Sequence, residues 1–313
     1  MRFSPLFWPI QLKGNTIYIL DESVLPQKLT YLKVKTYQQA IKAIKEMKTR
    51  AVGQVLLVMY IFLLVIHQNK NKKNLISLLE EVAKAINAVR PTLSFKFLTD
   101  MVLGWVRQGT ALEKDILGFL EALKTKRIQQ AEEASKLLED DDVILTHCNV
   151  SGLMPLIGEF CRRQNKRISF FVTETRPYLQ GMRLTAWELR QAEFPVTVIT
   201  DNMVAWTMQE KRITKVIVGA DNLAQNGDIA NKIGTYQIAI VAKYFKIPLY
   251  VLCPPASDEK TGKDIKVEIR SDKELWEYID KRFVPQGVKC HYPAFDITPA
   301  KLITKHIRME LKR

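Results

Sequence analysis

The spacing of apolar positions along this chain changes once, near residue 140. Ahead of that point, residues 16–25 (TIYILDESVL) open with alternating apolar and β-branched positions, which predicts a small β element within the first 35 residues. Residues 39–47, 75–89, 95–106 and 112–138 then place apolar side chains three and four apart, with Pro91 and Gly109 as breakers, which predicts helices. Residues 51–66 (AVGQVLLVMYIFLLVI) carry no charge at all. That run is shorter than the roughly 18–20 apolar residues of a spanning helix and includes Gly53 and Gln54, so it predicts a helix buried in protein.

An acidic run at residues 139–142 marks a boundary, with residues 1–140 as one domain and residues 141–313 as the next. Beyond it, short Val- and Ile-rich runs (143–145, 168–172, 196–199, 215–218, 249–252) read as buried strands. They alternate with stretches long enough for crossover helices (153–163, 183–192, 204–210, 236–245). Strand–helix alternation predicts an α/β fold with a parallel sheet covered on both faces. Such a sheet binds its ligand outside the carboxyl ends of its strands. Residues 146–149, 173–176, 200–202 and 219–222 fall there and are rich in groups that donate, accept or titrate.

Composition narrows the class. The 313 residues are 47% hydrophobic and 26% charged, as in globular proteins. No Arg- or Lys-led leader with a small-residue cleavage site opens the chain, and no membrane association is expected. Four cysteines form neither a CxxC pair nor a metal-ligand spacing, which predicts a reducing, cytoplasmic setting and no metal site. The net charge of +14 is spread through segments expected to be helical, among them 42–50, 124–127 and 301–313, without interleaved aromatics. We read it as solubility plus attraction for an anionic substrate, rather than as a nucleic-acid surface.

No GxGxxG and no GxxxxGK[ST] follows any strand, which excludes both common nucleotide loops. His147 and Cys148 are neighbours on a strand and point to opposite faces, so they do not form a proton-sharing dyad. Cys148 alone ends a strand near helix N-termini and cations, conditions that favour a thiolate. Asp221 follows the buried run VIVGA; burial there would suit it to general-acid work, and Asn222 could cap the next helix in its place. Residues 173–187 (TETRPYLQGMRLTAW) add Arg176 and Gln180, groups suited to a sugar phosphate. Residues 226–232 (NGDIANK) read as a turn running into a helix start, where backbone amides, Asn231 and Lys232 could hold a phosphate or sugar hydroxyls. In the helical half, Arg50 and Arg90 are candidate bidentate phosphate partners, and Pro91 forces the chain out of a helix at Arg90.

Taken together these segments resemble the methylthioribose-1-phosphate isomerase family, which also holds ribose-1,5-bisphosphate isomerases and the regulatory subunits of the exchange factor for eukaryotic translation initiation. The resemblance rests on LDESVLP (20–26), Arg90–Pro91–Thr92, THCN (146–149), ETRPYLQGMRLTAWEL (174–189), residues 219–236 and PAFDITPAKLIT (293–304). It implies a Rossmann-like C-terminal domain behind a mainly helical N-terminal domain bearing a small β element. It also implies aldose–ketose isomerisation of a pentose 1-phosphate without metal or organic cofactor, and a homodimer. On that likeness Cys148 and Asp221 take the catalytic positions, and Arg50, Arg90, Gln180, Asn231 and Lys232 the substrate-binding ones. Two segments differ from the methylthioribose enzymes: RAVGQV (50–55) replaces a glycine-rich RGAPAIG, and the loop VSGLMPLI (150–157) is short. The short loop resembles the ribose-bisphosphate branch, and RLTAWEL and NGDIANKIGTY the methylthioribose branch. Isomerisation of ribose 1,5-bisphosphate or of a 5-deoxypentose 1-phosphate, and a non-catalytic regulatory subunit, are the alternatives.

Overall fold

The computed structural model describes residues 3–70, 74–89, 95–278 and 281–310. The chain divides into two compact units, one formed by Phe3–Arg127 and the other beginning at Ile128.

In the first unit, β1 (Ile10–Lys13), β2 (Thr16–Leu20) and β3 (Tyr31–Val34) pair antiparallel in that order. Helix α1 (Tyr37–Lys45) follows, its first turn closed by Thr36, whose hydroxyl accepts the Gln39 amide. The uncharged run becomes α2 (Val52–Gln68). It is apolar around its whole circumference and correspondingly buried, from Leu56 to Ile66 apart from Tyr60. No helix among the described residues is long and apolar enough to cross a membrane. Helices α3 (Leu75–Val89), α4 (Lys96–Arg107) and α5 (Leu112–Ser135) complete the helical run.

The second unit is an α/β sheet structure. It runs β4 (Asp142–Thr146), α6 (Leu153–Arg163), β5 (Ile168–Thr173), α7 (Ala186–Gln191), β6 (Val196–Ile199), α8 (Val204–Glu210) and β7 (Lys215–Gly219). A hairpin of β8 (Asn222–Leu223) and β9 (Ile229–Lys232) then precedes α9 (Thr235–Tyr244) and β10 (Leu249–Cys253). After α10 (Lys273–Trp276), β11 (Glu277–Tyr278) and β12 (Lys281–Arg282), the chain ends in β13 (Phe295–Thr298) and β14 (Lys305–Arg308). Six parallel strands form the main sheet in the order β14-β10-β7-β4-β5-β6. Read from the β6 edge by chain position, this is the doubly wound order 3-2-1-4-5-6. A second, antiparallel sheet, β13-β9-β8, extends from the end of β7. Val216, Ile217 and Val218 are fully buried, and α9 adds Ile238 and Ala239 to the core cluster. Burying each of the larger of these side chains contributes about 1.5–3 kcal/mol.

Two sequence expectations need correction. Of the run 301–313, the described residues 301–310 are not a continuous helix; Lys305–Arg308 forms the edge strand β14. Only Ile307 there is apolar, and it is fully buried opposite Leu252, a period-two pattern that its cationic neighbours mask. Residues 226–232 are likewise a hairpin rather than a helix start. Asp228 holds that turn, accepting the Asn226 amide group, the Gly262 N–H and the Ala300 N–H.

Candidate active site

The strand order reverses between β4 and β7, so the crevice at their carboxyl ends is where a doubly wound sheet places its ligand. Cys148 lies just past β4 and Asp221 just past β7. The two loops are in close contact: a Cβ added at Gly219 would lie 2.6 Å from Val150 Cγ1. Only a residue without a side chain lets the chain after Cys148 pass over β7.

The backbone of Cys148 is held from both sides. Its N–H donates to Thr175 Oγ1 at 2.9 Å, and its carbonyl accepts from Thr185 Oγ1 at 2.6 Å. These contacts stabilise a left-handed conformation, φ 63°, that non-glycine residues seldom adopt. Behind it sits His147. Its Nε2 is 2.9 Å from the Ile233 carbonyl, which can only accept, so Nε2 carries the proton. Burial holds the ring below the ordinary histidine range despite Asp201 nearby, so it is neutral, and Nδ1 accepts from Thr173 Oγ1 at 2.6 Å. Thr173 and Thr175 hydroxyls are 3.3 Å apart, which links His147 to the group that positions Cys148. His147 is thus a spacer between β4, β5 and the start of α9, and not a base paired with the thiol.

Thr175 also takes a left-handed conformation, φ 63°, costly for a β-branched residue. Asp201 compensates by accepting the Thr175 N–H at 2.8 Å and the Arg176 N–H at 2.7 Å. The Arg176 guanidinium reaches the Leu275 carbonyl. Gln180 is 1% exposed and opens a π-helical turn, Gly181–Thr185. Such turns recur at functional sites. A Cβ at Gly181 would fall 1.8 Å from the Thr173 carbonyl and 2.8 Å from Thr175 Oγ1, so Gln180 is carried by the same cluster that holds Cys148.

Asp221 reaches the neighbourhood by another route. Its N–H donates to the Ala230 carbonyl at 2.9 Å, which places it beside Asn231 and Lys232 on β9. Asn231 donates through Nδ2 to Thr235 Oγ1, which in turn donates to the Lys232 carbonyl. Lys232 is buried, its ammonium 4.8 Å from the centre of the Phe295 ring and 5.9 Å from that of Tyr292. Asp221 itself is exposed, contrary to the buried carboxyl read from its sequence position. The chain leaves the core at Ala220 to start the β8–β9 hairpin, so the aspartate stands at the rim.

The segments that bear Cys148, Gln180, Asp221, Asn231 and Lys232, five of the seven residues expected in catalytic or binding positions, thus lie near one another at this end of the sheet. Arg50 belongs to the other unit, at the entry to α2, and its N–H donates to the buried carboxylate of Glu22. Arg90 lies outside the described residues. The amides at the start of α9 are not open to a phosphate, because Asp296 accepts the Gly234 N–H at 2.7 Å and the Tyr236 N–H at 3.1 Å. Burial pushes the Asp296 carboxyl up to about 6 against those two amides and Lys232. Asp296, Asp201 and His147 escaped the sequence reading as site residues. For Asp296 the signal was present, an acid set inside the apolar strand FDIT.

Two of the other three thiols differ from Cys148, while Cys290 is likewise partly exposed. Burial pushes Cys161 up to about 11 and Cys253 up to about 12, whereas Cys148 is partly exposed at the crevice. Among the described residues no cluster of His, Cys, Asp and Glu could hold a metal ion.

Similar proteins carry the same frame along nearly their whole length. The chain is 37% identical to the methylthioribose-1-phosphate isomerase of Thermosipho melanesiensis over 93% of this chain and 90% of that protein. It is 36% identical to the enzyme of the same name from Thermotoga maritima, with the same coverage of each chain. The crystal structure of 5-methylthioribose 1-phosphate isomerase from Pyrococcus horikoshii OT3 superimposes with a TM-score of 0.86 at 27% identity, covering 98% of this chain and 93% of that one. That of translation initiation factor eIF-2B, subunit delta, from A. fulgidus gives 0.82 at 30% identity, over 96% and 94%. With residues 48–308 matching its model, and the switch-point crevice set inside that span, the chain belongs to the Initiation factor 2 subunit family.

Proposed function

We propose that this chain is an aldose–ketose isomerase that converts 5-methylthioribose 1-phosphate to the corresponding ketose 1-phosphate. The observation that carries the reading is the placement of Cys148 and Asp221 at the carboxyl ends of β4 and β7, on either side of the switch point. The names of the relatives supply the substrate.

A phosphate on the anomeric oxygen prevents the sugar from opening to a free aldehyde. The reaction therefore requires an acid at the ring oxygen and a group that manages the transfer of hydrogen from C2 to C1. Asp221, carrying a proton, delivers it to the ring oxygen as the C1–O bond breaks. Cys148 serves the hydrogen shift, and the proton that the C2 hydroxyl loses on becoming the ketone returns to the enzyme in place of the one Asp221 gave, so no atom is gained or lost overall. Gln180, Asn231 and Lys232 hold the sugar and its phosphate. Because Asp221 is exposed, bound substrate itself must exclude water from the carboxyl.

A second reading has its own support: the A. fulgidus structure named for a translation factor subunit superimposes almost as well. The short loop after Cys148 similarly motivates ribose 1,5-bisphosphate or a 5-deoxypentose 1-phosphate as substrate. Ketose formation by the purified protein from each of the three sugar phosphates decides among them. Turnover of methylthioribose 1-phosphate at least tenfold above the others is the expected result, and none with any of the three would favour a regulatory subunit.

The assembly we propose is a homodimer, and the exposed apolar face of α8 and α9 is the surface offered for it. Trp206 there is 57% exposed and Tyr244 79%, with Met203, Tyr236 and Ile240 alongside. A patch of this kind marks an interaction surface more often than open solvent.

A further inference from the structure

Asp296 lies in β13 directly opposite Asn231 of β9, and the neighbouring Phe295 lies opposite Lys232. Two consecutive residues of β13 thus grip the segment that bears both binding residues. Phe295 sets its ring 4.8 Å from the Lys232 ammonium, and Asp296 ties both amides that begin the next turn, Gly234 and Tyr236. Gly234 has φ 105°, open to glycine alone, and a Cβ there would press on the His147 ring at 3.1 Å. His147 in turn donates to the Ile233 carbonyl, between Lys232 and Gly234. The segment is therefore clamped by Asp296 on one side and by the His147 network of Cys148 on the other.

We propose that Asp296 is a positioning residue: it fixes the Lys232–Gly234 turn so that Lys232 and Asn231 meet the sugar phosphate while Cys148 keeps its place. The inference rests on the isomerase reading for its substrate. A cap that served only to start α9 would have no reason to accept a carboxyl raised to about 6 by burial, when an exposed Ser, Thr or Asn at the turn would serve. Keeping the acid partly buried beside Lys232 suits a role in fixing that cation.

The test compares Asp296→Ala and Asp296→Asn with the wild type and with Lys232→Ala, using methylthioribose 1-phosphate as the probe. Asp296→Ala should raise KM at least tenfold while kcat stays within threefold, and Asp296→Asn, which keeps one acceptor, should fall between. In the Lys232→Ala background the same Asp296→Ala change should add less than threefold. A KM within twofold of wild type, or a full additive effect in the Lys232→Ala background, overturns the proposal. If Asp296→Ala does not fold, Asp296→Asn is held to a threefold rise in KM. A wild-type chain without turnover contradicts the isomerase reading instead. The clamp is then decided by hydrogen exchange over residues 231–238: faster exchange in Asp296→Asn supports it, and unchanged protection overturns it.

Discussion

Single residues in this chain do two kinds of work, and Glu22 separates them. It is buried in the N-terminal unit, where one carboxylate oxygen accepts both the Thr49 hydroxyl at 2.7 Å and the Arg50 N–H at 3.1 Å. Burial outweighs those bonds and the nearby Arg50 charge, raising its pKa from 4.5 to about 7. The sign follows from linkage. A carboxyl raised in the folded state holds its proton more tightly there, so stability falls as pH rises from the unfolded value through about 7. Glu22→Gln keeps the accepting oxygen and removes the charge. The variant should exceed wild-type stability at pH 8 by about 1–3 kcal/mol, with the gain vanishing toward pH 5. Denaturant unfolding at the two pH values checks this, and a variant less stable at pH 8 contradicts it. Cys148 is the opposite case: its neighbours do not bury a charge but hold a strained backbone, so changes at Thr175 or Thr185 should act on the position of the thiol.

At the scale of elements, the turn Gly181–Thr185 connects backbone geometry to the site most directly. Gly181→Ala would place a methyl 1.8 Å from the Thr173 carbonyl, so the turn must move and take Gln180 with it. Since a displacement of about 1 Å near reacting groups can lower rate about 10²-fold, kcat/KM should fall by that order. Overpacking of this kind costs about 1–3 kcal/mol of stability. Steady-state kinetics with a melting curve read both effects, and an unchanged kcat/KM would show that Gln180 is not placed by this contact. The main elements were legible because β4, β5, β7 and β10 are short apolar runs buried on both faces, and α2 is apolar all round. What was not legible depends on partners far along the chain. β14 shows one apolar residue, Ile307, and becomes a strand only through β10. Residues 226–232 carry turn chemistry that suits a hairpin or a helix start equally, and pairing with β13 decides it. Asp296 had no visible purpose until Gly234 and Tyr236 were placed beside it.

The whole molecule brings residues separated by more than seventy positions to one crevice, because the doubly wound order sets the ends of β4 and β7 side by side. Residue type alone singled out Cys148, Gln180, Asp221, Asn231 and Lys232 as candidates, while the exposure of Asp221 was not legible, since the path of the β8–β9 hairpin sets it. The exposed α8–α9 face belongs to the same scale. Light scattering should give twice the chain mass for the wild type, and Trp206→Glu with Ile240→Lys should give monomer; a monomeric wild type contradicts the proposed dimer. The central claim is that Cys148 and Asp221 together carry the isomerisation. The most direct measurement is kcat for Cys148→Ser and Asp221→Asn with methylthioribose 1-phosphate, each protein verified as folded by its melting curve. Each substitution should lower kcat by ~10²–10⁴-fold, the usual contribution of one acid–base group. Wild-type turnover in either variant would contradict the account.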